Sequence, residues 1–430
     1  MTVETPPTLS EARRRLLPAR TLPLVYFAGA HVALALALAA LVAIPDLPGA
    51  YHYHPRFIAL LHLLTVGWIS GSILGAFYVV APLALGMPFP ARLPDALACG
   101  SFWIGLAGMV SGFWQGRFEV VGIASLFVIA ALVFTAMRAA AGLGGARVPQ
   151  AVALHVVLAF TNVVAGAIGG TLLAIGRFDG GFDISPIALA AAHAHFTVIG
   201  WAVMMVVGLS YRLVPMFLPA APPTGSTLAL SAIFLQLGAV ALAWAFIFDE
   251  SLLVGIVSVC AGLGAFVEHA RRIPAARRTR PAEMQGRDWS SWQTHVALLY
   301  LPIACGLGIW IAVRGTTDGW TWAYGGAGLL GFVAQMVVGI QGRLLPLHAW
   351  YRAMERRGGT PPDRSVHRLP VRQLALAIFL LWLAGVPALV GGLVFQAASF
   401  IAAGAGALLV AVVLQAVHAV AIVRRADLPA

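Results

Sequence analysis

The chain contains no lysine: all 27 of its basic residues are arginine, against 16 aspartates and glutamates. Charged residues make up only 10% of its 430 positions, and 60% are apolar. Soluble domains carry about 25% charge, so an ordinary water-soluble fold is excluded. There are three cysteines, Cys99, Cys260 and Cys305, each within or at the end of an apolar run and none in a CxxC spacing. That excludes a disulfide framework or a zinc ribbon, and they read as small buried hydrophobes. Every acidic residue lies in a loop or near the end of an apolar run. A proton path built on an acid at mid-membrane is therefore not expected.

What the chain has instead is apolar length. Twelve stretches are long enough, or nearly so, to cross a bilayer: about 22–44, 57–84, 97–115, 120–141, 151–176, 185–211, 225–247, 251–268, 291–313, 322–345, 372–390 and 395–423. Spans 2, 6 and 10 are expected to run longest in the folded chain and should tilt or protrude. The first follows a polar tail, residues 1–20, and lacks a cleavage pattern, so it reads as a retained span. The expected fold is an all-α polytopic membrane protein whose twelve transmembrane helices form one membrane domain, residues 21–430.

The arginines give an orientation. If the N-terminus is cytoplasmic, 23 of the 27 fall on the inner side, leaving Arg56, Arg117, Arg177 and Arg314 outside. This is the positive-inside bias of a plasma-membrane protein, here a bacterial-type inner membrane, with both termini inside. The net charge of +11 thus reads as topology and contact with anionic lipid. With no basic soluble module, nucleic acid is not an expected partner.

One phrase occurs three times. His62 is followed by Gly67-Trp68, Gly75 and Pro82; His195 by Gly200-Trp201, Gly208 and Pro215; Gly326 by Gly331-Phe332, Gly339 and Pro346. The offsets are 5, 6, 13 and 20 in all three. The leading span of each set carries a second phrase, around His31, His155 and His295. The chain therefore reads as three parallel repeats of four spans, about 21–141, 150–272 and 290–425, related by an axis along the membrane normal. The repeated glycines should let equivalent helices approach closely, and the prolines should end or kink each helix at the inner face.

The repeat singles out histidines. His62 and His195 occupy equivalent places roughly 10–15 Å below the outer surface on a rise of 1.5 Å per residue. An imidazole at that depth marks a functional site unless a partner satisfies it. His193 lies two residues from His195, about 200° away around the helix; it should face a neighbouring helix or another pore, and it is the third candidate cofactor ligand beside His62 and His195. His52 and His54, in Tyr51-His-Tyr-His-Pro55, could hold copper at the outer mouth, with His62 and His195 further along an entry path. His31, His155 and His295 should share a packing role. His269, His348, His367 and His418 read as interfacial. Arg212 and Arg343, equivalent residues just ahead of Pro215 and Pro346, read as snorkelling anchors.

Two of these phrases carry a family likeness: His62-Leu-Leu-Thr-Val-Gly-Trp with Tyr78 and Pro82, and His193-Ala-His195 with Gly-Trp and Tyr211-Arg-Leu-Val-Pro215. With twelve spans in three arcs, the chain resembles the haem-copper oxidase subunit I superfamily, nearest its cbb3-type and nitric-oxide-reductase branches. The resemblance implies an oxidoreductase scaffold that holds b-type haem and copper. That family takes dinuclear-centre histidines from spans 6, 7 and 10. Span 7 here has none, and span 10 offers Tyr324 and Gly326. The chain is therefore not expected to reduce oxygen by itself. The leading expectation is a haem-binding electron-transfer or sensing protein, with His62 and His195 as axial ligands and a periplasmic electron donor or copper protein as partner. The alternatives are a copper or small-solute carrier, and a non-catalytic subunit or assembly factor of a respiratory complex.

Overall fold

The computed structural model describes residues 16–50, 53–146, 148–179, 185–273 and 288–428. Among these, twelve helices are long and apolar enough to cross a membrane: α1 Leu22–Ala43, α2 Pro55–Leu83, α3 Leu93–Gln115, α4 Phe118–Gly144, α5 Gln150–Gly176, α6 Pro186–Phe217, α7 Leu228–Phe248, α8 Leu253–Arg272, α9 Trp289–Arg314, α10 Asp318–Arg356, α11 Arg372–Val394 and α12 Ala398–Asp427. The protein is a multi-pass membrane protein. Large apolar side chains such as Val32, Phe127, Trp244 and Phe400 stand exposed on the flanks, where a lipid surround is the compatible solvent.

Burial sorts the helices into two classes. In α2, α6 and α10, 72%, 72% and 67% of the most apolar window is enclosed, against 17–50% elsewhere. These three form the centre. Around them α3–α4, α7–α8 and α11–α12 pack as hairpins, while α4 meets α5, α8 meets α9 and α12 returns to α1. The outer ring is thus closed by contact between the first span and the last.

The repeated glycines do one job in all three copies, and it is not the expected one. They meet the leading helix of their own set, not an equivalent central helix. A Cβ on Gly67 would lie 2.6 Å from Ala33 Cβ on α1, and one on Gly200 would lie 2.8 Å from Asn162 on α5. Gly331 faces Tyr300 on α9, and Gly75, Gly208 and Gly339 face Tyr26, His155 and Thr294. A side chain at any of these would drive the two backbones apart.

The same packing separates the leading-span histidines. His155 is fully buried, donating from Nδ1 to the Ala151 carbonyl, and its Nε2 pairs with Ser231 at 2.9 Å. His295 is exposed beside Trp292, and His31 is half-buried. The shared role expected of the three is absent, because Gly208 meets His155 while its counterpart Gly75 meets Tyr26, five residues short of His31.

Each central helix opens into a π-helical stretch at the repeated phrase: Leu63–Ser70, Val198–Val203 and Gly326–Ala334. Such wide turns are rare and concentrate at functional sites. The residues just past each glycine, Trp68, Trp201 and Phe332, are buried at the centre. Trp201 Nε1 donates to Ser70 Oγ at 3.0 Å, joining two of the wide turns directly.

The arginine-rich end departs from expectation at several points. Pro82 and Pro215 stand near the ends of α2 and α6, but α10 runs past Pro346 to Arg356. Ion pairs hold the extra turns, Arg356 to Asp427 at 2.8 Å and Glu355 to Arg20 at 2.8 Å. Ala349 and Ala353 pack there on Leu369 and Ile422. With α12 at 30 residues, α2 at 29 is not among the three longest spans. His269, His348 and His418 are buried rather than interfacial; His418 Nε2 accepts from the Val371 amide at 2.9 Å. Arg212 donates from Nε to the Ala84 carbonyl at 3.0 Å, and Arg343 pairs with Asp288 while its guanidinium covers Phe217. Both arginines bind protein groups.

Asp95 is the most enclosed carboxylate among the described residues. It has no exposed surface at the start of α3, accepts from Tyr78 at 2.8 Å and pairs with Arg138. Asp95→Asn leaves Arg138 without its counter-charge. Removing one member of a buried pair costs about 3–5 kcal/mol, and partial exposure of Arg138 lowers the expected loss to about 2 kcal/mol, read as thermal stability in detergent. Gly67→Ala should cost about 1–3 kcal/mol in the same assay, because Ala33 Cβ cannot rotate away. Gly264→Ala, which meets nothing within 4 Å, should leave stability unchanged or raised.

Candidate functional site

At the arginine-poor end, the central helices enclose a cavity of about 610 Å3, lined almost wholly by apolar side chains. Its polar marks include His62, His193, His195 and Tyr324. These lie six to nine residues past the first residue of α2, α6 or α10, roughly 10–13 Å along the helix axis. They therefore share one layer. The volume lies in the range that holds a drug-sized or cofactor-sized molecule.

Each imidazole in this layer is fixed the same way. His62 Nδ1 donates to the Ile58 carbonyl at 2.8 Å, His193 Nδ1 to the Gly166 carbonyl at 2.7 Å and His195 Nδ1 to the Ala191 carbonyl at 2.8 Å. A proton held on Nδ1 leaves the lone pair on Nε2. No Nε2 of the three has a hydrogen-bond partner among the described residues. A backbone carbonyl behind Nδ1 with a bare Nε2 ahead is how ligating histidines are oriented.

The rings pair in a rotational pattern. His62 lies 6.4 Å from His193, centre to centre, with planes 14° apart. His195 lies 5.9 Å from Tyr324 with planes 19° apart. In the repeat, His62 and His195 hold the first position, while His193 and Tyr324 stand two residues before it. The first position of one set thus faces the position two residues earlier in the next. A phenylalanine ring also packs on each histidine, Phe113 at 4.8 Å and Phe246 at 4.9 Å, both 51 residues downstream. In the third set Gly326 replaces the histidine, and Val390 occupies the place a Cβ would take.

This pattern revises the expected pairing. His62 and His195 line one cavity, but each takes a different ring as its partner. The ring brought to His62 is His193, which was expected to turn away. Two features of α5 hold it there: the Gly166 carbonyl binds its Nδ1, and Gly170 leaves space for its ring, a Cβ there lying 2.8 Å from Cε1.

Of the expected copper path, His62 and His195 line the cavity. His52 lies outside the described residues. His54 caps α2, its Nδ1 accepting from the Arg56 amide at 3.3 Å, and it is not part of the cavity wall. No group of three or more His, Cys, Asp or Glu side chains that could hold a metal occurs among the described residues. Two of the cysteines, Cys260 on α8 and Cys305 on α9, also line the cavity.

A bare ion between His62 and His193 would have two protein ligands. A cofactor that brings its own equatorial donors needs no more. Two imidazoles binding one metal through Nε2 from opposite sides, at about 2 Å each, have ring centres about 6 Å apart. The 6.4 Å spacing is compatible with that distance, and the apolar walls suit a macrocycle. The cavity wall has no cationic side chain, so acidic substituents would have to reach the arginine-poor mouth. There Arg56 stands over Trp114 at 5.5 Å.

The direction of His193 can be tested without touching a ligand atom. Gly170→Val should displace its ring, and hydrogen–deuterium exchange should show loosened protection around Gly166 on α5. Gly169→Val, which meets nothing within 4 Å, should not. Compared with known proteins, the chain matches no family model, and no curated protein is similar to it in sequence.

Proposed function

We propose that the protein holds a b-type haem between His62 and His193 and serves in electron transfer. The observation that carries this reading is the pair itself: two near-parallel imidazoles, each tied at Nδ1 and bare at Nε2, spaced for one metal between them. The likeness to haem-copper oxidase subunit I supports the same cofactor. A b-type haem held by both histidines would supply reversible one-electron chemistry and would offer a substrate no ligand place. That favours electron transfer over oxygen chemistry, as does the absence of histidine from α7.

The chain's own residues have definable parts. Ile58 and Gly166 orient the two imidazoles through their carbonyls, and Gly170 keeps the space that His193 occupies. Phe113 packs on the His62 ring and excludes water. By the arginine distribution, the site lies toward the periplasmic face of a bacterial inner membrane, with both termini in the cytoplasm. Its redox partner is then a periplasmic electron donor.

A reduced-minus-oxidised absorption spectrum of protein purified from a haem-replete host tests the reading. A Soret difference band is expected in the wild type and in His195→Ala. It should be absent from both His62→Ala and His193→Ala. A featureless wild-type spectrum ends the proposal; a band lost in His195→Ala but kept in His193→Ala restores the His62–His195 pairing.

A further inference from the structure

We infer that a bound water links the three central helices, held by the free amide oxygen of Gln341. Below the histidine layer, toward the arginine-rich end, α2, α6 and α10 enclose a second cavity of about 50 Å3. Its wall is apolar except for Ser72 on α2, Ser210 on α6 and Gln341 on α10. All three are buried, at 2%, 3% and 9% exposure. Gln341 Nε2 donates to Ser72 Oγ at 2.8 Å, but Oε1 of the same amide is shut away from solvent without a donor. The Ser210 hydroxyl has no hydrogen-bond partner among the described residues. Buried polar groups are nearly always paired, and an internal water is the usual partner where no protein group reaches.

The hydrogen bonds around this cavity leave one side of the central trio open. Trp201 ties α6 to α2 through Ser70, and Gln341 ties α10 to α2 through Ser72. No direct hydrogen bond joins the cavity-lining residues of α6 to those of α10 among the described residues. Ser210 and Gln341 each stand 15 positions after the first residue of the repeated phrase, and so at nearly one depth. A water that donates to Gln341 Oε1 and accepts from Ser210 closes the third side. The volume exceeds the roughly 10–15 Å3 that one water needs. Charge selects against an ion: the wall holds no carboxylate and no cationic side chain, and an uncompensated charge there costs far more than a neutral molecule. An apolar occupant would leave the Gln341 oxygen without a donor.

The test is X-ray radiolytic footprinting of the full-length protein in detergent, read by mass spectrometry. Hydroxyl radicals form from water in place and oxidise adjacent thioethers, so a bound water marks methionines that bulk solvent cannot reach. Met205 and Met336 line this cavity at 1% and 2% exposure, whereas Met87 and Met204, at 0%, line neither cavity. Met205 and Met336 should oxidise at least about tenfold faster than Met87 and Met204. Gln341→Leu removes the acceptor and leaves an apolar wall, and in it both rates should fall to the level of Met204. Low rates at Met87 and Met204 in the variant show that its fold is kept; if they rise, the wild-type comparison alone decides. Equal rates at all four methionines of the wild type overturn the site. So does fast oxidation of Met205 and Met336 in folded Gln341→Leu.

Discussion

The fold depends on how closely a central helix can approach the leading helix of its own set. Between membrane helices there is little water to expel, so association rests on packing and buried hydrogen bonds. Glycine at the contact positions makes the packing tight, with Ala33, Asn162 and Tyr300 seated where side chains would otherwise be. Each pair, α1–α2, α5–α6 and α9–α10, is then a rigid unit. Three such units place α2, α6 and α10 at the centre, and the hairpins fill the perimeter. The cavity lies in this arrangement because central helices held by their own partners need not fill the space between one another.

From that frame the histidine layer follows. Equivalent residues in a rotational repeat point in directions that differ by the rotation, so they seldom meet. What meets is one position with its offset neighbour in the next set, as His62 does with His193 and His195 with Tyr324. One repeated contact has therefore become two chemically different ones. Two imidazoles suit a metal held between them.

Much of this was legible in the chain. Apolar length gave the helix count, and the recurring Gly-aromatic phrase marked the three central helices and the depth of the histidines. What the sequence could not give was direction. Whether His193 or His195 faces His62 depends on the sense of rotation between sets, which no local pattern encodes. The glycines were recognisable as contact points, but not their partners, since side-chain spacing does not say which neighbour lies across. Pro346 misled for another reason: a helix end set by proline is a local preference, and ion pairs to Arg20 and Asp427, remote in sequence, outweigh it.

The three wide turns carry a further consequence. A π turn holds one more residue than an α turn before the next hydrogen bond, so it shifts the angular phase of everything on its far side. Upstream of each such turn lies the segment bearing His62, His193 and His195, or Tyr324; downstream lies the glycine-packed core. Removing a single residue within Leu63–Ser70 would let that turn close to ordinary α geometry and swing the segment carrying His62 by roughly 100°, while the lower half of α2 kept its seat on α1. The aim of the ligand layer is thus set by a count of residues, separately from the packing that holds the bundle together.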